Sequence, residues 1–188
     1  MRVSQDEKNR SHERIVASAA RLLRTGGVEG ASVGDVMSAA GLTHGGFYRH
    51  FDAKDAMVAA ALESAFAEFT SALDEQFART EPATAVADYI ATYLSDGHVT
   101  HPDRGCPMPA VGADIARGSE NLKRAFGAGL AAIAARLAAG FEGSEVERRD
   151  KAARKLAMLV GAVLIARASD PETGRAVLDA CRRAPVDA

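Results

Sequence analysis

Apolar residues recur at intervals of three and four along nearly the whole chain, a pattern that predicts helix after helix and no strand. In "SHERIVASAARLLRTGG", Ile15, Ala19 and Leu22 run beside Val16, Ala20 and Leu23, and Gly26-Gly27 predicts the stop. A second helix is predicted over 32–40. Ser32 and Asp35 form its S-x-x-D cap, Val33, Val36, Met37 and Ala40 share one face, and Gly41 ends it. Thr43 is placed to cap a very short helix through about His50. Asp52, three residues before Asp55, is placed to start a fourth helix over about 53–79, with Val58, Leu62, Phe66, Phe69, Leu73 and Phe77 as its stripe. That helix would be about 40 Å long, enough to belong to two bodies, so the domain boundary is expected along it.

Beyond Pro82 the same period continues through Val86, Tyr89, Ile90, Tyr93 and Leu94. "SDGHVTHPDRG" reads as a loop, and "CPMPAVGADIAR" as a short helix with its prolines confined to the first turn. Leu122, Phe126, Leu130, Ile133, Leu137 and Phe141 define another helix. Ser144 and Glu147 box the start of an alanine-rich one reaching Ala166, and Asp170-Pro171 opens the last. The expected fold is all-α, with about nine helices.

Composition adds two restrictions. With 47% apolar and 26% charged residues the chain is an ordinary globular one, and 5% aromatics without Trp favours closely packed helices. The net charge of −2 argues against wholesale coating of nucleic acid, but the charge is uneven. Residues 1–54 carry 8 Lys+Arg against 6 Asp+Glu and the remainder 15 against 19, so the N-terminal end is the better candidate for an anionic partner. Cys106 and Cys181 make no disulfide framework. No apolar run approaches the roughly 18 residues of a membrane span, and "MRVSQDEKNRSHER" is too polar for a signal peptide. The expectation is a soluble cytoplasmic protein without a membrane partner.

"GLTHGGFYRHF", residues 41–51, carries the function. A phosphate loop needs a preceding strand and a following Lys-Ser/Thr, and an esterase oxyanion loop needs a G-x-S-x-G elbow; the chain supplies neither. Helix 32–40, a tight turn at Gly41-Leu42 and helix 43–50 instead make a helix-turn-helix. Leu42, Phe47 and Phe51 would anchor the short helix. Thr43, His44, Gly45, Gly46, Tyr48, Arg49 and His50 would face outward. Gly45 and Gly46 either let the backbone approach DNA or merely loosen the helix.

The stretch "ERIVASAARLLRTGGVEGASVGDVMSAAGLTHGGFYRHFDAKDAMVAAAL" resembles the N-terminal DNA-binding domain of the TetR family of bacterial transcriptional regulators. The resemblance implies a helix-turn-helix domain over 9–69, its motif over about 32–51, and a C-terminal effector-binding and dimerisation domain over 70–188. It also implies a homodimer on a palindromic operator in double-stranded DNA, released when a small molecule enters the C-terminal domain. By the same resemblance Thr43, Tyr48, His50 and Lys54, with groups near Ser32 and Val33, would contact the DNA backbone. His44, Gly45 and Arg49 would face base edges. His44 stands where Lys or Arg is frequent, which weakens that contact at pH 7.

For the C-terminal half, Tyr89 and Tyr93 sit one turn apart on an apolar stripe, and Phe66, Phe69, Met108, Phe126 and Met158 are further large groups able to wall a ligand cavity. Cys106 would join them. A helix start and nearby Arg104 would lower its pKa and make it a sensing thiol; a small buried hydrophobe is the other reading. His98, His101, Asp103 and Cys106 fall within nine residues and are competent metal ligands, though loops collect such residues anyway. No cofactor is expected. The dimer surface is expected on the last two helices, at Leu156, Val160, Gly161, Leu164, Val177 and Cys181. The reading reached is a ligand-responsive repressor. Its rival is an α-helical ligand-binding or scavenging protein whose DNA contacts have decayed, and an enzyme lacks any nucleophile–base constellation.

Overall fold

Free N–H groups at a helix start need acceptors, and small polar side chains supply most of them. In the computed structural model, which describes residues 5–186, Ser32, Ser95, Ser119, Ser144 and Asp170 each accept from a backbone N–H two or three residues on. Ser144 and Glu147 form the reciprocal box the sequence predicts. The resulting α-helices are α1 Gln5–Gly30, α2 Val33–Ala39, α3 Lys54–Phe77, α4 Pro82–Tyr93, α5 Asp96–Thr100, α6 Met108–Ala116, α7 Glu120–Ala138, α8 Glu145–Ala168 and α9 Pro171–Arg183. Short 3-10 helices lie at His44–Arg49 and Pro102–Arg104, and the described residues contain no strand. The fold is all-α.

Four local expectations are corrected. The first helix starts earlier than the sequence predicts, at Gln5, and is broken rather than ended at Gly27, whose φ of 65° no β-carbon residue adopts readily. Thr43 makes no side-chain cap, and the helix after it is 3-10 instead of α. Asp52 caps nothing either: the residue preceding α3 is Ala53, without a side-chain bond. The "SDGHVTHPDRG" loop contains α5 and the second 3-10 turn, because Ser95 accepts from the His98 amide at 3.2 Å.

The long α3 organises the packing. It runs against α1 on one side and α7 on the other, while α8 packs on both α7 and α9. Gly129 of α7 lies against the Phe66 ring of α3 so closely that a β-carbon there would come within 3.0 Å. One continuous apolar core extends from Ile15 of α1 to Leu178 of α9. By length and mean hydropathy, 1.3 over its most apolar 18 residues, α3 passes the test for a membrane span, but its Met57, Val58, Leu62, Phe66 and Leu73 are buried in that core.

Candidate nucleic-acid interface and internal cavity

Gly41, with φ 66°, turns the chain sharply after α2, and the Leu42 N–H closes the turn on the Met37 carbonyl at 2.8 Å. Arg14 of α1 donates to the Ala40 carbonyl and fixes the corner. Phe47 is 1% exposed and stacks on Phe51, which in turn stacks on His12 of α1. This inner row leaves Thr43, His44, Gly45, Tyr48 and Arg49 on the outside, with Tyr48 69% exposed. A β-carbon at Gly45 would meet nothing within 4 Å, and one at Gly46 only ordinary contacts with Met37 and Thr43. Internal packing therefore demands neither glycine. Ser32 is engaged in its cap and Val33 is half-buried at the start of α2. His50 is half-buried, and its pKa is lowered by desolvation and by the charges of His12, Lys8 and Arg49. At pH 7 its ring is neutral and can offer a phosphate only a hydrogen bond.

Lys54 has a partner the sequence does not suggest. Its ammonium donates to the Val28 carbonyl at 2.7 Å, while the Val28 N–H donates to Asp114 of α6 at 2.9 Å. The break at Gly27 frees the backbone here, so the two peptide units flanking Val28 are each held by a side chain, one from α6 and one from α3. A lysine ammonium has three donors, and two remain for other acceptors.

Farther along α3 a cavity of about 550 Å³ opens between α3, α4 and the α5 segment. Phe69, Leu73, Tyr89, Tyr93 and His98 wall it, with Glu68 and Arg104 among its charged lining. Tyr89 and Tyr93 are buried; the Tyr89 hydroxyl finds no hydrogen-bond partner within the protein, and the Tyr93 hydroxyl has the Cys106 thiol beside it. Burial raises both phenol pKa values well above the usual 10, so each stays a neutral donor. Glu68 pairs with Arg24 of α1 at 2.6 Å.

His98 ties the wall to α6. The Cys106 N–H donates to its Nε2 at 2.9 Å and its Nδ1 lies 2.6 Å from the Tyr93 carbonyl, which fixes the neutral tautomer with the proton on Nδ1. Desolvation is the main cause of a lowered pKa there, with the Arg167 charge adding to it against the Tyr93 carbonyl. With both ring nitrogens engaged, His98 is no metal ligand, and no group of three His, Cys, Asp or Glu among the described residues is placed to hold a metal. Cys106 is fully buried and its thiol is pushed up to about 11 by burial, despite the Tyr93 hydroxyl and the Met108 amide beside it. Arg104, expected to acidify it, has a side chain 86% exposed and faces Asp103 instead. A thiol of that kind is a packing group at pH 7.

Residues 15–61 match the family model for bacterial regulatory proteins of the tetR family. Over those residues the chain is a TetR-family regulatory domain. Its fold is similar to that of reduced NemR from E. coli, with 22% identity, a TM-score of 0.74, and coverage of 92% of this chain and 95% of that one. A TetR-family regulator from Cytophaga hutchinsonii gives 20% identity and a TM-score of 0.75 over 97% and 95%. A transcriptional regulator from Rhodococcus sp. Rha1 gives 27% and 0.69 over 91% and 93%. No curated protein matches the sequence significantly. The family model describes regulatory proteins, not enzymes.

Within this TetR-family frame the cavity is only partly the one the sequence suggests. Phe69, Tyr89 and Tyr93 line it; Phe66, Cys106, Met108, Phe126 and Met158 do not. Phe66 is occupied edge-on with Phe126 and against Gly129, and Cys106 and Met108 are buried elsewhere in the core. Met158 packs half-buried on the core from α8. Glu68 and His98 are lining residues that sequence reasoning missed. On α8, Leu156 is 1% exposed within its own protomer and has no surface to give a partner. Leu164 is 48% exposed, Val160, Gly161, Val177 and Cys181 are half-buried, and Ile165, not foreseen, is 45% exposed.

Proposed function

We infer that this regulator is a cytoplasmic repressor that binds a palindromic operator as a homodimer and lets go when a small molecule fills the cavity. A DNA-binding unit over 9–69 and an effector and dimer unit over 70–188 would then share α3; residues 187–188 lie outside the described part. The observation that supports this most is a path of hydrogen bonds, joined by helix α6, from the cavity wall to the proposed DNA face. Tyr93 is bonded to His98, His98 to the Cys106 amide, and α6 carries Asp114 to Val28, which Lys54 holds. A displaced wall would shift α6 and, through Val28, the first turn of α3 beside the recognition helix. Tyr48 and Lys54 are the proposed phosphate contacts, joined by Thr43, His50 and the start of α2 at Ser32 and Val33; His44, Gly45 and Arg49 face the bases. Gly46, where a β-carbon would meet only Met37 and Thr43, lets the recognition helix sit flat.

The test is titration of labelled DNA from upstream of its own gene at physiological salt. Specific binding is expected, weakened by Tyr48→Ala to a similar degree on all operator variants, because phosphate contacts position rather than specify. A folded protein that binds ligand but shifts none of this DNA would favour the scavenging alternative.

For assembly, the expected contact runs through Val160, Gly161, Leu164, Val177 and Cys181. A β-carbon at Gly161 would meet nothing within 4 Å in its own chain. Gly161→Leu should therefore leave the fold intact and weaken self-association by about 1–3 kcal/mol through overpacking. Sedimentation velocity at micromolar concentration checks it; a monomeric parent protein would end the two-fold model.

A further inference from the structure

A basic cluster without a counter-ion lies between α1 and the 3-10 helix His44–Arg49. His50 closes that helix, and the His12 ring of α1 stands 5.9 Å from the His50 ring, tilted by 37°. His12 also stacks on Phe51 at 4.7 Å, and Phe51 on buried Phe47, so an aromatic base fixes the place of the pair. The charges that bear on His50 are His12 and Lys8 from α1 and Arg49 from its own helix, and all are basic. Lys8 and Arg49 are exposed and have no ion-pair partner among the described residues. Lys54 of α3 is held at the Val28 carbonyl, and Asp52, exposed two residues beyond His50, is not among the charges that act on it.

The two nitrogens of His50 are unlike. Nδ1 is buried without a hydrogen-bond partner, whereas Nε2 is unbonded but open to solvent. A proton on Nδ1 would be a buried donor without an acceptor, a costly arrangement. The neutral ring therefore carries its proton on Nε2. A second proton meets desolvation and three basic neighbours, which hold the ring's pKa below its ordinary 6.5. Nothing in the protein offsets that charge. A phosphate at Nε2 would, because it supplies both an acceptor and the missing anion.

Resting on the DNA-binding reading above, we propose that Lys8, His12, Arg49 and His50 form one site for a backbone phosphate, and that His50 takes up a proton when the phosphate enters. The site brings two residues of α1 into the contact surface. The proton comes from solvent and is lost again on release. The complex holds it more firmly than the free protein does, so affinity rises as pH falls through the neutral range. The rise levels off once the free ring is protonated too.

A generic labelled duplex suffices for the test, because a phosphate contact carries no sequence information. Anisotropy titrations compare the parent protein with His50→Gln, which keeps an N–H donor but cannot take up the proton. At about pH 8 the two should bind within about twofold of each other. At about pH 6 the parent should bind about three- to tenfold more tightly, with a salt slope steeper by up to about one unit, as for one more neutralised phosphate. Lys8→Gln should flatten the slope at both pH values.

A second measurement needs no variant at the half-buried ring. The His50 ring of the parent protein is titrated by NMR alone, with the duplex, and with inorganic phosphate at matched ionic strength. The duplex should raise the ring's proton affinity about tenfold, and inorganic phosphate should leave it near the free value. An equal rise with inorganic phosphate marks an adventitious ion only and overturns the assignment to DNA. A ring that the duplex leaves unmoved, or a parent-to-variant ratio that stays flat with pH, overturns the proposal. So does a salt slope that Lys8→Gln leaves unchanged, which takes α1 out of the site. Duplex binding that persists in those cases leaves the DNA-binding reading standing, and a parent that binds no duplex even at low salt overturns both.

Discussion

Replacing Gly129 with alanine should lower the thermal midpoint by about 2–12 °C, whereas the same change at Gly127, two residues earlier on α7, should raise it. At Gly129 the new β-carbon would fall inside the Phe66 ring contact, under 3.0 Å, at the broadest helix–helix packing in the fold. Phe66 cannot swing away freely, because Phe126 meets its face edge-on at 5.9 Å. Either α7 moves off α3 or Phe66 leaves its rotamer, at about 1–3 kcal/mol, and in a chain of this length each kcal/mol is worth about 2–4 °C. Gly127 is exposed, and a β-carbon there meets nothing within 4 Å. Only backbone entropy changes at that position, and alanine gains up to about 1 kcal/mol in a helix. Calorimetric melts of both variants decide the matter. Equal shifts of one sign would mean that the α3–α7 contact is looser than described.

The two glycines differ in a way the sequence does not express. Both sit in one alanine-rich run, and only the position of Phe66, more than sixty residues away, separates them. The same boundary between local and distant information runs through the whole chain. Ser144 with Glu147, Asp170 with Pro171, and the inward Phe47 and Phe51 were legible because cap and stripe are set within a turn or two of chain. The short helix after the turn was legible because outward Tyr48 and inward Phe47 alternate in a short motif. The cavity was not. Phe66, Phe126 and Met158 have the right size, but lining is decided by which helices part, and α3 parts from α4 where Phe69 stands and not where Phe66 does. His98 was hidden by a helix of five residues whose only local signal is Ser95 three positions earlier. Cys106 was misjudged because proximity to Arg104 in sequence says nothing about direction; that guanidinium turns to solvent and burial sets the thiol's proton affinity.

Lys54 and Asp114 should separate DNA contact from the response to ligand. Both hold Val28, Lys54 at its carbonyl and Asp114 at its N–H, but only Lys54 is a proposed phosphate contact. Gly27 makes the arrangement possible. With φ at 65° it breaks α1, and a β-carbon there would stand 2.5 Å from the Asp114 carboxylate. Asp114→Ala removes the acceptor from α6 without touching the recognition helix, so DNA affinity and its salt dependence should stay near those of the parent protein. What should disappear is the effect of a cavity ligand on that affinity, a coupling usually worth about 1–3 kcal/mol, or 5–150-fold. Asp114→Asn keeps an acceptor oxygen and should preserve most of the coupling. Lys54→Ala should lose the coupling as well, and in addition weaken DNA binding with a salt slope shallower by about one unit per lost phosphate contact. Fluorescence anisotropy of operator DNA over a salt series, with and without a small molecule shown by dialysis to fill the cavity, reads all three variants. If Asp114→Ala releases DNA on ligand binding as the parent does, Val28 is a structural tie alone, and the signal from the cavity must reach the recognition helices through Arg24 and Glu68 instead.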